Sequence, residues 1–270
     1  YAQEAREYVL WAVLILVTNA QLLRSIRLTE ARGPRVPWEW AAFALVTALS
    51  LYTAFSSAAV ILAQVLYICA RERLRFTRVS LWAASSMAAA AVLFAPWAVV
   101  LWRRLDAFEA SMAWSRDITI PRSELLGLLA ANLSRPMVDF WGDVHGAAWG
   151  AVALAVGLGL AGLVAVGRGL EWRKSTLLLL VIAVPIALLL VPDLLHGGIR
   201  SISARYLTPS FLGVMLGVAY LLGRHPSRRP LLAAVLTVGV ASCAHNWGEV
   251  SVWTKGVSRN LRIVAEASNR

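Results

Sequence analysis

Residues that build catalytic and metal sites are scarce in this chain. Its 270 residues include two cysteines, four histidines and 15 acids. Cys69 and Cys243 are too few for a disulfide framework, and their places near opposite ends of their apolar stretches argue against pairing. The histidines lack metal-ligand spacing, so no metal site is expected. No HExxH, P-loop, nucleophile elbow or CxxC string occurs. Hydrolase or redox chemistry housed within these residues is therefore disfavoured. Charge of either sign is also sparse, at 15%. Apolar residues fill 59% of the chain and mean hydropathy is +0.65, too greasy for a soluble domain whose surface must carry charge.

The apolar residues gather into eight long stretches: Tyr8–Leu23, Trp38–Phe55, Ser57–Ala70, Val79–Trp102, Ala147–Gly167, Ser175–Val191, Tyr206–Gly223 and Leu231–Ala244. Ala147–Gly167 has no charge over 21 residues, about 31 Å of helix, enough to cross the hydrocarbon core. Trp40 to Ala70 also lacks charge, but basic flanks on both sides predict a hairpin turning near Tyr52–Ser57. Its second arm is short, so Arg71 and Arg73 should snorkel. Pro96 predicts a kink in the fourth stretch.

Charge between the stretches alternates in character. The loops Arg24–Glu39, Arg71–Arg78, Arg168–Lys174 and Arg224–Arg229 hold 14 of the 26 basic residues and four acids. Lys and Arg are retained on the cytoplasmic side, so the net +11 reads as a topology signal and not as nucleic-acid binding. The expected fold is an all-α polytopic membrane protein of about eight transmembrane helices. Residues 1–102 would hold four membrane helices and 147–248 four more. Residues 103–146 form an outer-face loop with short amphipathic helices, and 249–270 an outer-face tail. Within that loop, Leu125, Leu126, Leu129 and Leu133 are predicted to share one helix side. Asn132-Leu133-Ser134 matches a glycosylation sequon that matters only in a secretory pathway. The Tyr1 end, the 103–146 loop and the tail share the non-cytoplasmic face. Tyr1 is not a start methionine, and the chain is read as a fragment whose N-terminal part is missing.

Three polar groups converge on that face. The first is Tyr1–Tyr8, where Tyr1, Glu4 and Tyr8 share a helix face and Arg6 projects elsewhere. It is either a polar collar with aromatic anchors, or a carboxylate and guanidinium at the mouth of a cavity. The second runs from Pro192-Asp193 through His196-Gly197-Gly198 and Arg200 to Arg205-Tyr206, a flexible basic connection between two spans. Arg205 precedes an apolar run, where it either snorkels or binds a phosphate at the membrane surface. The third, Asp139, Asp143 and His145 around Trp141, is read as solvated acids before acid/base groups or ligands; Lys255 and Arg259 stay ambiguous. Asn19, Gln21 and Gln64 are expected to hydrogen-bond between helices.

Tyr-Ala-Gln-Glu-Ala-Arg-Glu-Tyr at Tyr1–Tyr8 is similar to the Tyr-x-Gln-Glu-Ala-Arg-x-Tyr signature of bacterial glycosyltransferase family 39-like proteins. These are relatives of the dolichyl-phosphate-mannose protein mannosyltransferases and of the aminoarabinose transferase of lipid A, and share the GT-C fold. Leu51-Tyr52-Thr53 resembles the family's Leu-Tyr-[Ser/Thr]-His turn, with Ala54 where many relatives have His. Phe94-Ala95-Pro96-Trp97 resembles its Phe-x-Pro-Trp helix end, and Arg205-Tyr206-Leu207-Thr208-Pro209 its Arg-Tyr-Leu-x-Pro. Asn132-Leu133-Ser134-Arg135 and Trp253-Thr254-Lys255 look most like cyanobacterial members.

The resemblance implies a polyprenyl-phosphate-linked sugar donor and a glycan, lipid or protein acceptor. Transfer would occur on the non-cytoplasmic face with inversion at the anomeric carbon. The acid serving as general base would lie upstream of Tyr1, so the catalytic residue is outside this chain. Glu4 and Arg6 carry over as cavity-mouth residues and Arg205 with Tyr206 as the phosphate-side group; Arg200 joins them as substrate-binding. The resemblance names no cofactor, the lipid-phosphate sugar being a substrate, and leaves dependence on a divalent metal open. A membrane transporter or lipid flippase is the alternative, and a non-catalytic scaffold a third. A transporter should show mid-membrane ionisable residues or paired broken helices, which the sequence lacks. The enzyme reading requires the Tyr1–Tyr8 segment and Arg205-Tyr206 to open into one aqueous pocket.

Overall fold

Runs of Leu, Ala and Val without interior charge must satisfy their own backbone hydrogen bonds in lipid, and a helix does so within one segment. The computed structural model describes residues 2–32, 37–116, 118, 120–138, 147–224 and 226–248. It is all-α, with no strand among those residues. Five helical segments are long and apolar enough to cross a membrane: Tyr8–Ala31, Arg78–Arg103, Trp149–Gly169, Trp172–His196 and Ala204–Gly223. Val92, Leu154 and Val240 stand 69–72% exposed, as lipid-facing side chains do and core residues do not.

Two compact units emerge. The first comprises residues 1–129 and 166–214. It contains α1 (Ala2–Arg32), α2 (Pro37–Thr53), α3 (Ser57–Glu72), α4 (Arg78–Arg103) and α5 (Leu105–Arg116). Most of α6 (Arg122–Ser134), the last turn of α7 (Ala147–Gly169), all of α8 (Trp172–His196) and the start of α9 (Thr208–Gly223) complete it. Its packing pairs are α1 with α2, α2 with α4, and α3 with α8. Leu22, Ile26, Trp40, Phe43, Tyr67, Val181 and their neighbours form its main core. Trp40 meets Phe43 edge to face at 6.0 Å.

The predicted hairpin is present: α2 ends at Thr53 and α3 begins at Ser57. A polar knot closes that end. The Trp11 indole donates to Ser57 Oγ at 2.7 Å, and Ser57 Oγ donates to the Ser50 carbonyl at 2.8 Å. The amides also bond between helices as expected. Gln64 donates to Asn19 Oδ1 at 3.1 Å, and Gln21 to the Glu39 carboxylate at 2.9 Å.

Two expectations need correction. The segment from Arg24 reads as the start of a loop, yet α1 stays helical to Arg32. Its buried face continues past the charges. Trp40 donates to Thr29 Oγ1 at 2.9 Å, and Ser25 Oγ to the Glu39 carbonyl at 3.1 Å, so packing on α2 overrides the local charge signal. In α6, Leu125 and Leu129 are buried while Leu126 is exposed, so the apolar stripe is narrower than the leucine count suggests. Through Pro96, α4 remains one helix.

The ends of α3 and α4 are sharply defined. Arg73 and Leu74 adopt left-handed φ of 52° and 58° to close α3. Thr77 and Ser80 then cap α4 reciprocally, Thr77 N–H to Ser80 Oγ at 2.8 Å and Ser80 N–H to Thr77 Oγ1 at 3.2 Å. Near Pro185 in α8, the Ser210 hydroxyl of α9 donates to the Ile182 carbonyl at 2.8 Å, supporting a helix that proline weakens.

The second unit comprises residues 130–165 and 215–270. Its described helices are the end of α6, most of α7, the remainder of α9, and α10 (Arg229–Gly248). A Cβ added at Gly162 would lie 2.7 Å from the Gly217 carbonyl carbon, so α7 and α9 touch backbone to backbone there.

Candidate functional site

The direction of each helix in the first unit locates the polar residues. Trp11 meets Ser57, whereas Glu30 meets Arg71 at 2.6 Å, so α1 and α3 run in parallel. Arg173, at the start of α8, lies 3.6 Å from Glu30. The far end of α8 therefore returns to the end of the unit where α1 begins. This is the end that holds Asp193, Arg200 and Arg205.

There the chain leaves α8 through Gly197 and Gly198, with φ of 80° and 114°. The Gly197 N–H returns to the Asp193 carbonyl at 3.0 Å. The Asp193 carboxylate, fully shielded from solvent, accepts the Ser201 N–H at 2.7 Å through Oδ2. Its Oδ1 lies 3.5 Å from Arg200 Nη1. The Ile199 N–H donates to the Ser115 carbonyl at 2.8 Å, tying the connection to the last turn of α5. A Cβ at Gly198 would lie 2.9 Å from both Asp193 Oδ1 and the Ser115 carbonyl oxygen. The paired glycines thus serve close approach and positive φ, and the expectation of a flexible connection is corrected to a tied one.

From this turn the chain passes through two 3-10 turns, Arg200–Ile202 and Ala204–Leu207, into α9. Arg205 is exposed, with its guanidinium carbon 5.0 Å from the Tyr206 ring centroid. Arg200 is 21% exposed, with one nitrogen turned to Asp193. Arg200, Arg205 and Tyr206 thus come together on one short connection at one end of the unit. Glu4 and Arg6 sit on the opening turns of α1, at that same end; their side chains lie outside the described residues, as do Asp139, Asp143, His145, Lys255 and Arg259.

In the sequence Asp193 is one of several polar residues on this connection. Among the described residues it is the only buried carboxylate. Its position one turn before a Gly-Gly pair is the signal that a helix-end anchor was due. Nothing local signals the Ser115 contact, because a backbone carbonyl bonds whatever its side chain. The chain matches no family model, no curated protein and no solved structure.

Proposed function

We propose that the chain belongs to an integral-membrane glycosyltransferase that moves a sugar from a polyprenyl-phosphate-linked donor to an acceptor on the non-cytoplasmic face of a bacterial inner membrane. The observation that carries the reading is Arg205, an exposed guanidinium stacked on Tyr206 just after a tightly held turn. The turn sits at the end of the unit where the Gln3-Glu4-Ala5-Arg6 segment begins α1. The ordered series of short motifs resembling glycosyltransferase family 39 supports the same assignment, and with it a GT-C arrangement of about eight spans.

Chemically, the acceptor hydroxyl attacks the anomeric carbon, and the bond from that carbon to the phosphate oxygen breaks. The hydroxyl proton passes to a carboxylate base. Negative charge grows on the departing lipid phosphate, where a guanidinium fixed in place does most good. Asp193 is unsuited to be the base, since its carboxylate is fully shielded from solvent, bonded to the Ser201 N–H and 3.5 Å from the Arg200 guanidinium. Its role here is to position the connection.

The test is sugar transfer by the full-length protein with a polyprenyl-phosphate sugar donor. Arg205→Ala should lower turnover roughly 10²- to 10³-fold, the scale for losing one positioned charge donor. Membrane insertion and melting should stay as in wild type, because the side chain is exposed. Undiminished turnover would remove Arg205 from the site.

A further inference from the structure

At the opposite end of the first unit, a cavity of about 470 Å3 opens between α1, α3 and the start of α8. Five cationic side chains line it: Arg24, Arg27, Arg71, Arg173 and Lys174. Two carboxylates, Glu30 and Glu171, share the wall. We propose that this cavity is an anion site separate from the sugar-transfer site, and that it takes the phosphate of a membrane lipid headgroup.

Three observations support it. Charge comes first. Arg27 is exposed and has neither ion pair nor hydrogen bond among the described residues, leaving one cation uncommitted at the rim. Arg24 pairs with Glu39 and Lys174 with Glu171, but those cations are 59% and 55% exposed. Exposed pairs of this kind contribute little and yield readily to a phosphate. Deeper in, the Arg71 side chain is only 4% exposed; Glu30 and Glu72 hold its terminal nitrogens, while its Nε is buried without a partner. Burial alone would pull the Arg71 guanidinium down, but the hydrogen bond and charge of Glu30, with the charge of Glu72, hold it above its usual value.

Shape comes second. Ala20, Leu23, Ile26 and Tyr67 continue the wall beyond the charges, so a basic rim passes directly into an apolar surface. A free anion needs only the rim, whereas a lipid uses both. Depth comes third. Trp172 is 54% exposed, with Arg173 5.9 Å from its ring centroid, and Trp38 at the start of α2 is 84% exposed. Exposed tryptophans at helix ends mark the level of lipid headgroups. Basic pockets between spanning helices at that level are the kind that hold anionic headgroups.

The experiment uses the purified protein in nanodiscs of phosphatidylcholine alone or mixed with phosphatidylglycerol, with retained lipid read by native mass spectrometry. Wild type should retain phosphatidylglycerol, and Arg27→Gln with Arg173→Gln should reduce retention roughly tenfold. Arg224→Gln, an exposed arginine outside the cavity, should retain it fully. Millimolar inorganic phosphate should neither displace the lipid nor raise the melting temperature in neutral nanodiscs. Unchanged retention in the double variant overturns the proposal. Equal loss in Arg224→Gln reduces the effect to general surface charge and overturns it too. Displacement by inorganic phosphate replaces the lipid with a free anion. Should the double variant fail to fold, Arg27→Gln alone, at an exposed and unpaired position, must still lower retention about threefold.

Discussion

Asp193 and Ser201 are eight residues apart, yet the buried carboxylate of one accepts the backbone N–H of the other at 2.7 Å. This bond turns the end of α8 back on itself and fixes where Arg200 and Arg205 emerge.

Removing the carboxylate should loosen that turn. Asp193→Ala leaves the Ser201 N–H unsatisfied in a buried place and the Arg200 charge without its partner, at an expected cost of about 2–3 kcal/mol. Asp193→Asn keeps an acceptor and should cost about half as much. Thermal unfolding in detergent separates the two, and equal stability of all three proteins would refute the anchor role.

Gly198→Ala should be harmful for two reasons that act together. The backbone sits at φ 114°, and the new methyl would meet Asp193 Oδ1 and the Ser115 carbonyl oxygen at 2.9 Å. A loss of about 1–3 kcal/mol is expected. Because Arg205 lies beyond this turn, any sugar-transfer activity should fall further than stability alone accounts for.

Gly213 and Gly162 should respond differently to the same change. At Gly213 the added methyl runs into the Ile182 side chain, and at Gly162 it meets backbone at 2.7 Å. Gly213→Ala should therefore be partly rescued by Ile182→Ala, with about 1 kcal/mol or more of favourable coupling in a double-mutant cycle. Nothing comparable can relieve Gly162→Ala. Melting curves of the four Gly213/Ile182 combinations decide the first point, and strictly additive losses would contradict it.

Leu74→Gly should stabilise. Leu74 is 80% exposed, so it loses little packing, and its φ of 58° strains any side chain with a Cβ. The left-handed conformation costs roughly 1–2 kcal/mol, partly offset by glycine's greater freedom when unfolded, which leaves a gain of up to about 1 kcal/mol. A melting temperature at or below wild type would count against it.

The helical architecture and the α2–α3 hairpin were legible because they depend on charge spacing and apolar run length, which are local properties. So was the bonding of Asn19, Gln21 and Gln64, since an amide among apolar neighbours must find a partner. The helical path from Arg24 to Arg32 was hidden, because it depends on Trp40 and Glu39 arriving from another helix. Gly197-Gly198 looked like slack for a similar reason: only the folded chain brings Ser115 and Asp193 close enough to demand glycine. Residue type pointed to Arg205, while the turn that presents it is a tertiary product.

Between Trp11 and Glu30, α1 rises about 28 Å, whereas α3 rises about 21 Å from Ser57 to Arg71. Both places are nonetheless bonded, Trp11 to Ser57 and Glu30 to Arg71. Long side chains make up the difference, the Arg71 guanidinium above all, which reaches from the end of the shorter rod to the Glu30 carboxylate on the longer one. With a stubbier side chain in its place, Glu30 would lose that partner, while Trp11–Ser57 and Gln64–Asn19 would still hold the register between the two.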